Sequence, residues 1–194
     1  MNIHWMNRIT TAIIILVVIV NPSWGQLKDE RGFYLVEAET FTPPIKDMIA
    51  SFEGRVAEGF LAPDIYGTEH YLYDYRGKPT ILFFFNLEEE KGRTLLETLK
   101  GLPEDIASTI NIIGMAKDSR DDLLKYMNGD PSKFPLIYNG EVFGEMAYGA
   151  DLGTPRMFII DASGIIKRVL PATSFDKGKM VSELIAECIN NIKE

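Results

Sequence analysis

The sequence predicts an α/β chain, a central mixed sheet with helices on both faces, and three observations carry that reading. Thr80–Phe85 is an unbroken apolar and aromatic run, the pattern of a strand buried on both faces. Ile110–Met115 is a second strand candidate, and each run is followed by a stretch with helical spacing of leucines. Met157–Asp161 and Ile165–Leu170 flank Ala162-Ser163-Gly164, which reads as a hairpin.

The elements follow in order. Arg8 precedes an apolar run from Ile9 to Val20 that ends at Asn21-Pro22, shorter than the about 20 residues a bilayer span needs. With Ser23 and Gly25 as small residues before a cleavage point, residues 1–25 read as a signal peptide. The expectation is an exported chain, periplasmic or secreted after cleavage, with no stable membrane anchor. Residues 26–59 read as an N-terminal extension: Phe33–Val36 suits a short strand, and Thr42-Pro43-Pro44 opens a helix with periodicity from Ile45 to Phe52. The main domain is expected over residues 60–194.

His70–Tyr75 places Tyr71, Tyr73 and Tyr75 at period two and is a strand candidate, closed by the turn Arg76-Gly77-Lys78-Pro79. The three tyrosines would share one face, either as an aromatic platform or packed beneath the extension. Asn86, three residues before Glu89, has capping-box spacing for a helix carrying Leu95, Leu96, Leu99 and Leu102. Ser119 and Asp122 cap a helix with Leu123, Leu124 and Met127 that stops at Asn128-Gly129. A last helix from about Asp176 puts Val181, Leu184, Ile185, Cys188, Ile189 and Ile192 on one face.

Composition narrows the function classes. The 194 residues are 46% hydrophobic and 25% charged, which excludes disorder. Twenty-eight acidic residues against 20 basic ones give a net charge of -8, so no nucleic-acid partner is expected. One cysteine, Cys188, and two histidines exclude an internal disulfide and a Cys/His zinc cage. No nucleophile elbow, Walker loop or dinucleotide fingerprint occurs, and no cofactor is expected. His70 has no motif partner and reads as structural.

Ala62-Pro63-Asp64, then Tyr75-Arg76-Gly77-Lys78-Pro79 leading into a hydrophobic strand, resemble the opening of the redoxins. These comprise peroxiredoxins of the alkyl hydroperoxide reductase/thiol-specific antioxidant group and exported thioredoxin-like proteins of the TlpA/ResA type. Phe134-Pro135-Leu136 and Gly153–Asp161 followed by Gly164 resemble the second half of the pattern. The resemblance covers roughly residues 60–194 and implies a thioredoxin-like three-layer fold with a cis proline at Pro155.

In redox-active members of that family a cysteine, or a Cys-x-x-Cys pair, sits where the first buried strand meets the next helix, whose N-terminus stabilises a thiolate. Here the resemblance places Glu89 and Gly92 at those positions, within Asn86–Arg93. Neither does thiol chemistry. Glu88, Glu89 and Glu90 would instead oppose the helix dipole and raise the pKa of any neighbouring thiol. Binding a hard cation there would need Asp118, Asp121 and Asp122 to converge with them, since consecutive helical residues point about 100° apart; the expectation is no metal. Cys188, on an apolar helix face, reads as a packing residue.

Two functions remain open. One is a non-catalytic module binding a peptide or protein through the Thr154-Pro155 edge, by strand addition, together with Glu88, Glu89 and Glu90. The alternative is a redoxin-type thiol–disulfide oxidoreductase or peroxidase working through Cys188 or a partner's thiol.

Overall fold

A computed structural model describes residues 43–150 and 155–171. The signal segment, the Phe33–Val36 strand, Thr154 and the last helix with Cys188 lie outside the described residues.

Helix α1 (Pro43–Phe52) leads into a two-stranded antiparallel ribbon, β1 (Leu61–Pro63) and β2 (Glu69–Tyr71). The main sheet follows: β3 (Thr80–Phe85), β4 (Asn111–Ala116), β5 (Leu136–Ile137), β6 (Arg156–Ile160) and β7 (Ile166–Pro171). The connecting helices are α2 (Glu90–Lys100), the short α3 (Glu104–Ala107), α4 (Arg120–Met127) and α5 (Glu141–Tyr148). The strand order is β5-β4-β3-β6-β7, with β3, β4 and β5 parallel and β6 and β7 antiparallel to their neighbours.

All six residues of β3 are buried, as expected of a central strand, and their alternation divides the core into two layers. Ile81, Phe83 and Phe85 pack with Leu95, Leu96 and Leu99 of α2 and Leu123 and Met127 of α4. Leu82 and Phe84 face the other way, toward Tyr148 of α5, Phe158 and Phe52 of α1. There the Tyr148 and Phe158 rings meet edge-on at 4.9 Å, and the Tyr148 hydroxyl donates to the Glu58 carbonyl at 2.7 Å. Burial holds the Tyr148 phenol far above its ordinary pKa, so it remains a donor.

Local chemistry sets the ends of these elements. The Ser119 hydroxyl accepts the Asp122 amide at 3.2 Å, and Asn128 closes α4 in the left-handed region at φ 47°. In the β6–β7 hairpin, Asp161 Oδ1 accepts the amides of Ser163 and Ile165, both at 2.9 Å.

Neither edge of the main sheet is bare at these points. On the β7 side the Gly54 amide donates to Ile166, which donates in turn to the Arg55 carbonyl, both at 2.8 Å. On the β5 side the Ile65 amide donates to Leu136 at 2.9 Å, and Asp64 bridges Ile137. One short stretch of chain therefore covers parts of both edges.

Two expectations are corrected. His70–Tyr75 is not one strand: β2 stops at Tyr71 and Leu72–Tyr75 is a 3-10 turn, so the three tyrosines do not share a face. The turn instead sets Tyr73 edge-on against the Tyr71 ring at 5.0 Å and Tyr75 beside His70. Helix α5 and strands β1 and β5 were not predicted; the two strands are too short to show periodicity, and α5 opens on Gly140 with no side-chain cap.

Candidate functional site at the start of the second helix

Strand β3 ends at Phe85, and its antiparallel register with β6 pairs Phe84 with Arg156. Pro155, buried, immediately precedes β6. The Arg156 guanidinium fixes this corner by donating to the carbonyls of Tyr148 and Gly149 at 3.4 and 2.5 Å. Pro155 therefore stands at the head of β6, one residue before the partner of Phe84, while Thr154 lies outside the described residues. Glu88, Glu89 and Glu90 are all exposed.

The loop is held by its own side chains. Buried Asn86 accepts the Glu89 amide on Oδ1 at 2.7 Å. Asp118, reaching over from the end of β4, accepts the Leu87 amide on Oδ2 at 2.9 Å. The Arg93 guanidinium donates back to the Leu87 carbonyl and, at 3.1 Å, to the Glu88 carbonyl. Burial pushes the Asp118 carboxyl above its usual range; the Leu87 amide opposes that shift, and the charges of Asp122 and Glu88 add to it.

The capping-box spacing is therefore only half realised. Asn86 does take the Glu89 amide, but α2 begins at Glu90, with Glu89 as an N-cap whose side chain makes no cap bond. Of the three glutamates only Glu90 lies in the first turn, so dipole compensation falls mainly to that residue.

Gly92 is the most constrained position. It is buried, and a Cβ there would stand 2.2 Å from the Asn86 carbonyl oxygen. The backbone of α2 approaches the loop as closely as glycine permits. Of the two positions at which the resemblance places the family's cysteines, Glu89 is exposed and Gly92 is buried.

The neighbouring acids do not gather. Asp118 is committed to Leu87 and Asp122 to Ser119, at 2.5 Å. Among the described residues no three His, Cys, Asp or Glu side chains are placed to hold a metal ion.

His70 has the partners that its sequence context did not reveal. Its Nδ1 lies 2.5 Å from the Tyr75 hydroxyl and its Nε2 3.1 Å from Asp64 Oδ2. Both partners stand inside the quoted motifs, Asp64 in Ala62-Pro63-Asp64 and Tyr75 at the head of Tyr75–Pro79. Reading those motifs together with His70 would have found the cluster.

Comparison with known proteins agrees with this architecture. A Mycobacterium tuberculosis protein named as a peroxiredoxin is 26% identical over 116 residues, covering 59% of this chain and 73% of its own. The solved structure of peroxidoxin BcpB from the same organism superposes with a TM-score of 0.59 at 19% identity, over 71% of this chain and 97% of that one. The thiol:disulfide interchange protein DsbE of Chlorobium tepidum gives 0.56 at 21% identity, over 69% and 96%. These likenesses show a thioredoxin-like fold. Residues 53–169 match the AhpC/TSA family model, so the chain, with its single cysteine, belongs to the AhpC/TSA family of redoxins.

Proposed function

We propose that this redoxin-family domain has turned its helix-start site from thiol chemistry to binding, and that Glu88, Glu89, Glu90, Thr154 and Pro155 receive an extended peptide or protein segment. One observation carries the reading: two amides of the loop, those of Leu87 and Glu89, are taken by the chain's own side-chain oxygens. Asn86 holds the Glu89 amide and Asp118 the Leu87 amide. A thiolate needs such donors free, or a cation beside it. The exposed carboxylates suit a segment bearing Lys or Arg, and strand addition at the Thr154 edge requires no cysteine.

The relatives favour a second reading more than this one, since they are named as a peroxiredoxin and as thiol–disulfide oxidoreductases. In that reading Cys188, or a partner's thiol, carries the chemistry. Export to an oxidising compartment is part of both proposals and rests on the Ile9–Val20 segment.

Thiol titration of the native chain, with peroxide-consumption and insulin-disulfide-reduction assays, separates the two. The binding reading expects no turnover in either assay and no change on Cys188→Ser. Rapid labelling of Cys188 together with turnover that Cys188→Ser abolishes overturns it in favour of the oxidoreductase.

A further inference from the structure

The Asp64–His70–Tyr75 cluster lies outside the helix-start site and is more ordered than a packing contact needs to be. Asp64 is 6% exposed, and its Oδ1 accepts the amides of Tyr66 and Thr68, both at 2.9 Å. That leaves Oδ2 aimed at His70 Nε2. Burial raises the Asp64 carboxyl, but the hydrogen bonds from His70, Thr68 and Tyr66 outweigh it and leave the group below its usual range. An ionised carboxylate only accepts, so it places the imidazole proton on Nε2. In the neutral ring Nδ1 is then a lone pair, and the group 2.5 Å from it is the Tyr75 hydroxyl.

The order is fixed: the phenol donates to the imidazole, and the imidazole donates to the carboxylate. The two ring nitrogens point to opposite sides, so the three residues do not converge as metal ligands. What the line can do is take a proton from the phenol without moving a heavy atom. Burial and the charges of Asp64 and Asp74 hold the Tyr75 pKa above its ordinary value, so simple ionisation is disfavoured. Removing an electron reverses that preference, because an oxidised phenol is a strong acid. The Tyr71 and Tyr73 rings stand edge-to-face at 5.0 Å nearby, with the Arg76 guanidinium 4.4 Å above Tyr73. The cation disfavours an electron hole on Tyr73.

We propose that Tyr75 is a proton-coupled one-electron redox site whose substrates are one-electron oxidants of the organic peroxyl radical class. One electron leaves the phenol for the peroxyl radical, which takes a proton from water, becomes a hydroperoxide and leaves hydroxide in solvent; oxidation of the returning reductant releases the proton that neutralises it. The phenol's proton crosses to His70 Nδ1, giving a neutral phenoxyl radical and an imidazolium paired with Asp64. A one-electron reductant of the enediol class returns the electron, the proton moves back from Nδ1, and the site is reset. This goes beyond the binding proposal and does not depend on it.

The test uses the full chain and a photogenerated ruthenium(III) polypyridyl oxidant, with the phenoxyl radical followed by transient absorption and electron paramagnetic resonance. The expected result is a long-lived neutral tyrosyl radical, most of it lost in Tyr75→Phe, which keeps the ring and its packing. His70→Gln should slow oxidation of Tyr75 by about 10²-fold, the ordinary loss when a positioned base is removed. Asp64→Asn should slow it to a smaller degree. A radical yield equal in wild type and Tyr75→Phe overturns the proposal, because the remaining tyrosines then account for it. An unchanged rate in folded His70→Gln does the same, and shows that the cluster only clamps β2 to its neighbours. If His70→Gln fails to fold, the comparison of wild type with Tyr75→Phe decides alone.

Discussion

Gly92→Ala tests the close approach on which the site is built. In an ordinary helix interior the change is favourable by about 1 kcal/mol, since alanine is the better helix former. At this position the new Cβ would lie 2.2 Å from the Asn86 carbonyl oxygen, more than 1 Å inside a normal contact of roughly 3.5 Å. The obstacle is backbone, so no side-chain rotation relieves it. Either α2 moves away from β3, loosening Leu95, Leu96 and Leu99, or the loop shifts and loses the Asn86–Glu89 bond. Overpacking costs about 1–3 kcal/mol and a lost cap about 1 kcal/mol. Set against the propensity gain of about 1 kcal/mol, the expected net loss is up to about 2 kcal/mol. Gly101→Ala at the other end of the helix is the control, because its Cβ would sit 3.3 Å from the Glu97 carbonyl, a tight contact that a shift of a few tenths of an ångström relieves. Urea unfolding should show a clearly lower midpoint for Gly92→Ala than for wild type and little change for Gly101→Ala. A Gly92→Ala protein as stable as wild type would refute the close-approach argument.

Asp118→Asn keeps an acceptor for the Leu87 amide and removes a charge that burial disfavours. The folded pKa is raised, so the ionised form costs stability above it and the cost vanishes as pH falls through it; the variant should gain stability at neutral pH, and urea titrations should show the gain shrinking in acid. Asp64 has the opposite sign: its pKa is lowered, so its contribution is full above the unfolded carboxylate value of about 4 and is lost as pH falls through the folded value. Asp64→Asn should therefore be less stable than wild type at neutral pH, and a gap that persists unchanged in acid would contradict the assignment. Asn128→Ala puts a Cβ residue without local hydrogen bonding at φ 47° and should lower the unfolding midpoint by the equivalent of about 1 kcal/mol.

The strands and helices of the central layer were legible because their residues are selected by burial on the period of the element. β3, α2, α4 and the β6–β7 hairpin all showed that signal, and the Ser119 cap and Asn128 stop were recognisable as local chemistry. The tyrosines misled for a definite reason. Three residues of a period-two pattern do not distinguish a strand from a strand end running into a 3-10 turn, and the turn here seats Leu72 in the core. At the site the sequence revealed which residues stand at the loop but not how they are held. The Asp118–Leu87 bond joins residues 31 apart, and the contact between Gly92 and Asn86 is a property of backbone approach that no side-chain pattern encodes. The missing cysteines were legible at once; the self-satisfied loop that replaces them was not.

The chain that covers both sheet edges has a kinetic consequence. Residues 54–57 bond to the start of β7, and residues 64–65 bond to β5 at the far side. The segment 54–65 thus spans the width of the sheet and waits for strands made more than 70 and 100 residues later. Such distant partners slow folding, because loop closure must precede the reward of contact. Until it occurs, both flanks are open at the same time, and unpaired strand edges are templates for other chains. Loss of that strap in a folded molecule would likewise unprotect two opposite flanks in one event, which favours growth in both directions over a single mispaired dimer. Self-association of this protein on mild destabilisation should accordingly be chain-like and steeply dependent on concentration.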